Sequence, residues 1–377
     1  MEKKEVVITS AIRTAVGSLG KSLKNVKADE LGSTVISKAI DNSKIKKDEV
    51  DEVIMGQVLT GGSGQNPARQ AAMRSEIPKE KPAYIVNQVC GSGLRSVASG
   101  FQSIKSGDSK IIIAGGQESM SLSPHAIHLR DGKKLGDAQI IDTMIKDGLW
   151  DAFNGYHMGV TAENVATKFQ VTRDDQDIFA LRSQEKALRA QKEEKFKKEI
   201  IGFKIKSKKN EINFVQDEHP RDGINIDALK RLKPVFKKDG TVTAGNASGI
   251  NDGAAAVTLM SSQDRLRFTL HTKSPSSIPP IQPNTESPPF HGNAMRSALL
   301  AFLALALTTS AQANPKTQSD LYIWMEGVST PQLDPFVEDA GGYHLEQRIA
   351  DCMADDCDAL VARLRAADWW QLTNAIE

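Results

Sequence analysis

The chain has 377 residues, and its 48 Lys and Arg against 47 Asp and Glu leave a net charge of +1. That length allows two domains or one large one, and 40% apolar with 25% charged residues is the balance of an ordinary globular protein. Near-zero net charge gives no reason to expect nucleic acid as a partner, while three cysteines exclude a disulfide scaffold and fit a reducing, cytoplasmic compartment.

Val6–Ser10 and Val53–Met55 read as short buried strands, β-branched and bounded by polar residues or Gly. Between them, Ala28–Ile40 places Leu31, Val35 and Ala39 on one helical face. Gly61-Gly-Ser-Gly64 could cradle a phosphate, but no Lys follows at P-loop spacing and the Rossmann spacing is absent, so it reads as a loop. Ala83–Val89 is a further strand, leading directly to Cys90. From Leu94, the apolar positions Val97, Ala98, Phe101 and Ile104 recur at helical spacing. Ile111–Ala114 is again a strand, stopped by Gly115-Gly116. Strand and helix alternate, which predicts an α/β layered domain with a largely parallel sheet.

Residues 117–240 read as a polar insertion on that domain. Asp131-Gly, Asp147-Gly and Asn154-Gly mark turns in a loop-like stretch over 121–156. Thr172-Arg-Asp-Asp175 is a capping box that opens a charged helix running to about Lys192. The lysine-rich run Lys195–Lys209 reads as a solvated helix face or loop. Thr241–Gly249 forms a Gly-rich turn, and Ala254–Met260 a closing strand, so the first domain spans 1–262.

The composition then changes abruptly. Residues 1–265 carry 41 basic and 34 acidic side chains, a net of +7, whereas residues 314–377 carry 4 and 12, a net of −8. Residues 263–294 are rich in Pro and Ser and read as a linker. Residues 295–313 have a basic start, an apolar core over Ala298–Leu307 and a small-x-small end, the three regions of a secretory signal peptide. That core is about half the length needed to span a bilayer, so no membrane is implied. The favoured expectation is that Met295 begins a different, exported protein joined to a truncated first one, the alternative being a buried helix. The acidic segment 314–377 has no assigned fold.

Chemistry centres on Cys90, which lies in Asn87-Gln-Val-Cys-Gly-Ser-Gly93 between a strand and a helix. A helix N-terminus favours a thiolate over a thiol, and a thiolate is a nucleophile. Ser248 in Gly245-Asn-Ala-Ser-Gly249 is one residue out of frame for a G-x-S-x-G elbow, which argues against a Ser hydrolase. Cys352, Cys357 and His344 lack a second ligand pair at zinc-like spacing, so no metal is expected.

Asn87–Val97 strongly resembles the nucleophile motif of the thiolases, in particular the biosynthetic acetyl-CoA acetyltransferases. Arg13-Thr14-Ala15, Ile113-Ala-Gly-Gly116, Tyr156–Asn164 and Thr241–Ala256 follow in the family's order, so the resemblance is continuous over about residues 4–262. It implies a thiolase-like layered α/β domain with an inserted loop domain. It also implies that Cys90 attacks an acyl-CoA thioester, with coenzyme A as part of the substrate and no cofactor. By the same resemblance Leu149, His157, Met158, Arg221, Phe236, Ala244 and Ser248 line the CoA channel. The loop His128–Leu149 resembles the family's tetramerisation loop, so a homo-oligomer is implied. The family's N-E-A-F, G-H-P and C-x-G segments, which belong to a second domain of similar fold, are absent after Ser262; His291 sits in Pro-Phe-His-Gly-Asn instead. The expectation is therefore a thiolase-type acyltransferase that forms acetoacetyl-CoA by descent but is truncated and inactive alone. The alternative is a non-catalytic truncated or fused product with weak CoA binding or subunit association only.

Overall fold

The computed structural model describes residues 5–132, 134–206 and 211–271. The segment 295–313, the acidic stretch 314–377, His291, His344, Cys352 and Cys357 lie outside the described residues, as does the linker beyond His271. The described part forms two compact units. One takes in the chain up to Gly148, Glu194–His219 and the chain from Ile250; the other takes in Leu149–Glu193 and Pro220–Gly249.

The first unit is built on a seven-stranded sheet. Its strands are β1 (Val6–Thr14), β2 (Glu52–Gly56), β3 (Ala83–Val86), β4 (Ile111–Ser119), β5 (Ile200–Ile201) and β6 (Asn251–Ser261), with Gly17–Ser18 pairing on β6. The order across the sheet is β5-β1-β6-β4-β2-β3. All strand pairs are parallel except those made by β6, which runs antiparallel to β1 and β4 in the middle of the sheet and to Gly17–Ser18. The expected parallel sheet thus holds with one central exception. The strand pattern of β6, buried at all eleven positions, carries no information on direction.

Side chains leave each strand alternately on two faces. Val53, Met55, Ile111 and Ile113 join one cluster, with Leu31, Val35, Ile36, Ala39 and Ile40 of α1 (Ala28–Ser43) and Ala68, Ala71 and Ala72 of α2 (Pro67–Arg74). Ile54, Ile112, Ala114, Val257 and Leu259 face the other way and meet Ile104 of α3 (Ser92–Ser106). The α3 side is the thinner cover. Tyr84, Val89 and Leu94 stay exposed there or at its edge.

Three expectations shift. β4 does not stop at Gly115-Gly116 but continues to Ser119, because the glycines sit between two paired strands and a Cβ at Gly115 would meet Ala255 O at 2.0 Å. The insertion is narrower than 117–240: residues 117–148 and 194–219 belong to the sheet unit. Arg13 of β1 anchors the latter, its Nε donating to Glu199 Oε1 at 2.7 Å and its two terminal nitrogens to both oxygens of Asp217 at 2.7 and 3.0 Å. Last, the chain does not turn to linker at 263 but forms a helix over Ser262–His271. The described part of the lysine-rich run is turn followed by the strand Phe203–Lys206, which pairs antiparallel with Glu211–Phe214.

The second unit carries α4 (Met158–Lys168), α5 (Arg173–Lys192) and α6 (Ile226–Lys230). The capping box at α5 is present: Thr172 Oγ1 accepts the Asp175 N–H at 3.2 Å, and Asp175 accepts the Thr172 N–H at 3.0 Å. No helix among the described residues is long and apolar enough to cross a membrane.

Candidate active site

Cys90 is a free, exposed cysteine immediately before Gly91, the N-cap of α3, at the positive end of the helix dipole. The turn that presents it is tightly held. Ser92 Oγ accepts the Gln88 N–H at 2.9 Å and donates to Val89 O at 2.6 Å. Asn87 Oδ1 accepts the Val89 N–H at 2.9 Å, and the Gly91 N–H donates to Gln88 O at 3.0 Å. Val89 has φ +46°, a left-handed conformation that is strained for a β-branched residue. Such strain, roughly 1–3 kcal/mol, persists only where the surroundings impose it.

The strand below makes room for this turn. A Cβ on Gly56, the last residue of β2, would lie 2.4 Å from Ser92 C and 2.5 Å from Gly93 N, so only glycine allows the start of α3 to rest on the strand end. Further along α3, the buried Ser96 Oγ lies 2.7 Å from both Gly93 O and Gly115 O, tying the first helical turn to β4. Beside this seat lies Glu118, near the end of β4. Its carboxylate accepts the Val58 N–H at 2.8 Å and the Leu59 N–H at 3.3 Å. Burial pushes its carboxyl up to about 7 against the pull of the Val58, Leu59 and Ser119 N–H groups, and Asp252 adds to the rise.

The seven expected channel residues all belong to the second unit. His157 caps α4, with Nδ1 accepting the Gly159 N–H at 2.9 Å. That bond leaves the proton of the neutral ring on Nε2, and burial lowers the pKa, keeping the ring neutral near pH 7. The imidazole stacks on Phe236, centroids 4.8 Å apart and planes at 20°. Gly159 permits this, since a Cβ there would meet the Phe236 ring at 2.3 Å. Met158 follows directly, half-buried, and Leu149 is half-buried at the end of the π-helical turn Met144–Leu149. The structure therefore brings His157, Met158 and Phe236 together. Arg221 has an exposed side chain, and its backbone N–H donates to Gln184 Oε1 of α5 at 2.9 Å.

Ala244 (exposed) and Ser248 (half-buried) ride on the Gly-rich turn. Asn246 organises it, Oδ1 accepting the Thr243 N–H at 2.7 Å and Nδ2 donating to Asp177 Oδ1 at 2.9 Å. Asp177 Oδ2 accepts from Arg173 Nε at 2.8 Å, both residues being on α5. Glu163 of α4 takes the N–H groups of Thr241 and Val242 at 2.9 and 2.8 Å. These holders, with Glu118, are the residues the sequence reading missed. Their signal was faint: isolated acids or amides beside turns, each bonded far along the chain. No cluster of potential metal ligands occurs among the described residues.

Residues 6–263 match the model of the thiolase N-terminal domain. The chain belongs to the thiolase family. It is 56% identical over 267 residues to an acetyl-CoA acetyltransferase of Rhizobium meliloti (strain 1021), covering 71% of this chain and 68% of that one. It is 49% identical over 258 residues to a probable acetyl-CoA acyltransferase of Staphylococcus aureus (strain COL), covering 68% and 66%. The crystal structure of the Bacillus anthracis acetyl-CoA acetyltransferase superposes with a TM-score of 0.69 at 40% identity over 71% of this chain and 68% of that one. The fold is thus a thiolase α/β fold, and the relatives are enzymes. Cys90, its strained turn and the start of α3 all lie inside the matched region.

Proposed function

We propose that this thiolase performs acyl transfer from acyl-CoA onto Cys90. The thiolate attacks the thioester carbonyl; the new S–C bond forms, the bond to the CoA sulfur breaks, and CoA leaves as a thiol once protonated. The product is an acyl-Cys90 thioester. The Cys90 backbone N–H, at the start of α3, would stabilise the oxyanion of the tetrahedral intermediate. One observation carries this reading: an exposed thiol held on a strained turn at a helix N-terminus, within the thiolase match. An oxidation-sensitive thiol nucleophile also suits a reducing, cytoplasmic setting.

The substrate-binding roles follow from residue chemistry. Arg221 can pair with a CoA phosphate. Leu149, Met158 and Phe236 offer apolar surface for pantetheine or adenine, and the neutral His157 offers an Nε2–H donor as a pocket wall rather than a base. Ala244 and Ser248 line the same channel. Coenzyme A enters as part of the substrate, and the chemistry proposed needs no metal or further cofactor.

The full reaction would join a second acetyl-CoA to the acyl group and release acetoacetyl-CoA. Making that carbon nucleophile needs a base, and the G-H-P and C-x-G patterns do not occur in residues 264–377. Loss of a general base costs about 10²–10⁴ in rate, and loss of oxyanion donors about 10²–10³. Condensation by this chain alone is therefore proposed to be negligible, with chemistry ending at the acyl-enzyme. A second reading, subunit association without turnover, draws on the exposed Leu129, Leu135 and Ile140 in the loop that resembles a tetramerisation loop. An assay of acetoacetyl-CoA formation by the full chain tests the proposal. A signal at background level in both wild type and Cys90→Ser is expected; robust formation that Cys90→Ser abolishes would overturn the stated limit.

A further inference from the structure

A chain of contacts leads from Glu118 to the nucleophile. The segment Gly56–Leu59 leaves β2 beneath the start of α3. At Gly56 it touches the Ser92–Gly93 backbone closely enough to exclude a Cβ. At Val58 its carbonyl faces Asn87 Nδ2 at 3.4 Å, and Asn87 in turn holds the Val89 N–H at 2.9 Å, one residue before Cys90. The other side of the same segment is fastened by Glu118 alone of the acidic residues, through the Val58 and Leu59 N–H groups. The Gln57 N–H is taken by Val86 O at 3.1 Å, which ties the segment to β3.

We propose that Glu118 is a positioning residue for Cys90, pinning Val58–Leu59 so that this segment supports the Asn87–Ser92 turn from below. The proposal rests on the reading of Cys90 as the nucleophile. Glu118 touches no reacting atom in this account; it acts through two backbone N–H groups. The Val58 N–H meets Oε2 at 2.8 Å and the Leu59 N–H is shared between Oε1 and Oε2 at 3.3 and 3.4 Å, so an ionised carboxylate offers both oxygens to this pair whereas a protonated one leaves chiefly its carbonyl oxygen to accept. The seat of Cys90 should therefore tighten as Glu118 ionises, and the rise of its carboxyl to about 7 puts that change near neutrality.

The other charged groups around it are few. From β6 comes Asp252, whose oxygens take the N–H and hydroxyl of Ser121 at 2.9 and 2.6 Å, with Glu218 beyond it. Residues 57–66 contain no ionisable side chain, and the turn 87–93 contains only Cys90.

The test uses the full chain and iodoacetamide, with alkylation followed on the Cys90 peptide by mass spectrometry across pH 5.5 to 9. Hydrogen exchange of residues 87–92 is measured alongside. In the wild type the alkylation rate should show an inflection near pH 7 besides that of the thiol. In Glu118→Gln that inflection should vanish, alkylation at pH 8 should slow by about tenfold, and exchange in the turn should speed up. The wild-type profile stands even if the variant is poorly folded. A single inflection in the wild type, or superimposable profiles and exchange in the two proteins, would overturn the proposal. Because iodoacetamide reads thiol presentation without CoA, failure here leaves acyl transfer to Cys90 as a separate question, answered with acetyl-CoA.

Discussion

Glu118 joins two opposed effects in one side chain. Its carboxyl stands well above the ordinary value of 4.5 because burial disfavours the charge, so the fold prefers the protonated form. For a group whose folded pKa is raised, the stabilisation is complete below the unfolded value and is lost as pH rises through the folded one. The window here runs from about 4.5 to about 7. Urea denaturation of the wild type should therefore show stability falling across that range, by about 1–3 kcal/mol from this group. Glu118→Gln, neutral at every pH, should flatten the decline and be more stable than wild type at pH 8. A decline of equal size in both proteins would assign the pH dependence to other groups. The same substitution should slow Cys90, so stability and reactivity should move in opposite directions. That pairing is hard to obtain from a residue that only packs.

At the scale of elements, the α3–β2 junction is the most constrained. Gly56 has an ordinary backbone conformation, so its requirement is space alone: Ser92 C, Gly93 N and Ser92 O all lie within 2.6 Å of where a Cβ would be. Gly56→Ala should push α3 off the strand end, costing about 1–3 kcal/mol as overpacking and slowing Cys90 alkylation. An unchanged urea midpoint would show that the helix start is not seated as described. In each unit by itself, most elements were legible in the sequence, because α1, β2 and α3 of the first and the capped α5 of the second follow local rules of periodicity and capping. What was not legible depends on partners far along the chain. β1 runs on to Thr14 past the expected end because Arg13, a charge that should close a strand, is buried by Glu199 and Asp217. β4 passes through two glycines because strands on both sides hold it. The place of Cys90 just before a helix start was readable from residue order. The contacts of Glu118 were not, since its N–H partners lie some 60 residues away.

For the whole molecule, the match to the thiolase N-terminal domain ends at residue 263, and the 267-residue alignment to the Rhizobium relative covers 68% of that protein. The described residues hold the exposed Cys90 thiol in the sheet unit and the stacked His157–Phe236 pair in the other. The sequence patterns of a base and a second cysteine do not follow in residues 264–377. On the proposed reading, Cys90 without those partners would still complete the first half of a two-step transfer, because CoA is a good leaving group. The most direct measurement is peptide-resolved mass spectrometry of the full chain after incubation with acetyl-CoA. The account predicts an acetyl group accumulating slowly on the peptide that contains Cys90, removed by added free CoA and absent in Cys90→Ser. Acetylation confined to Cys352 or Cys357, or a Cys90 peptide left unmodified while iodoacetamide still alkylates it, would contradict the account.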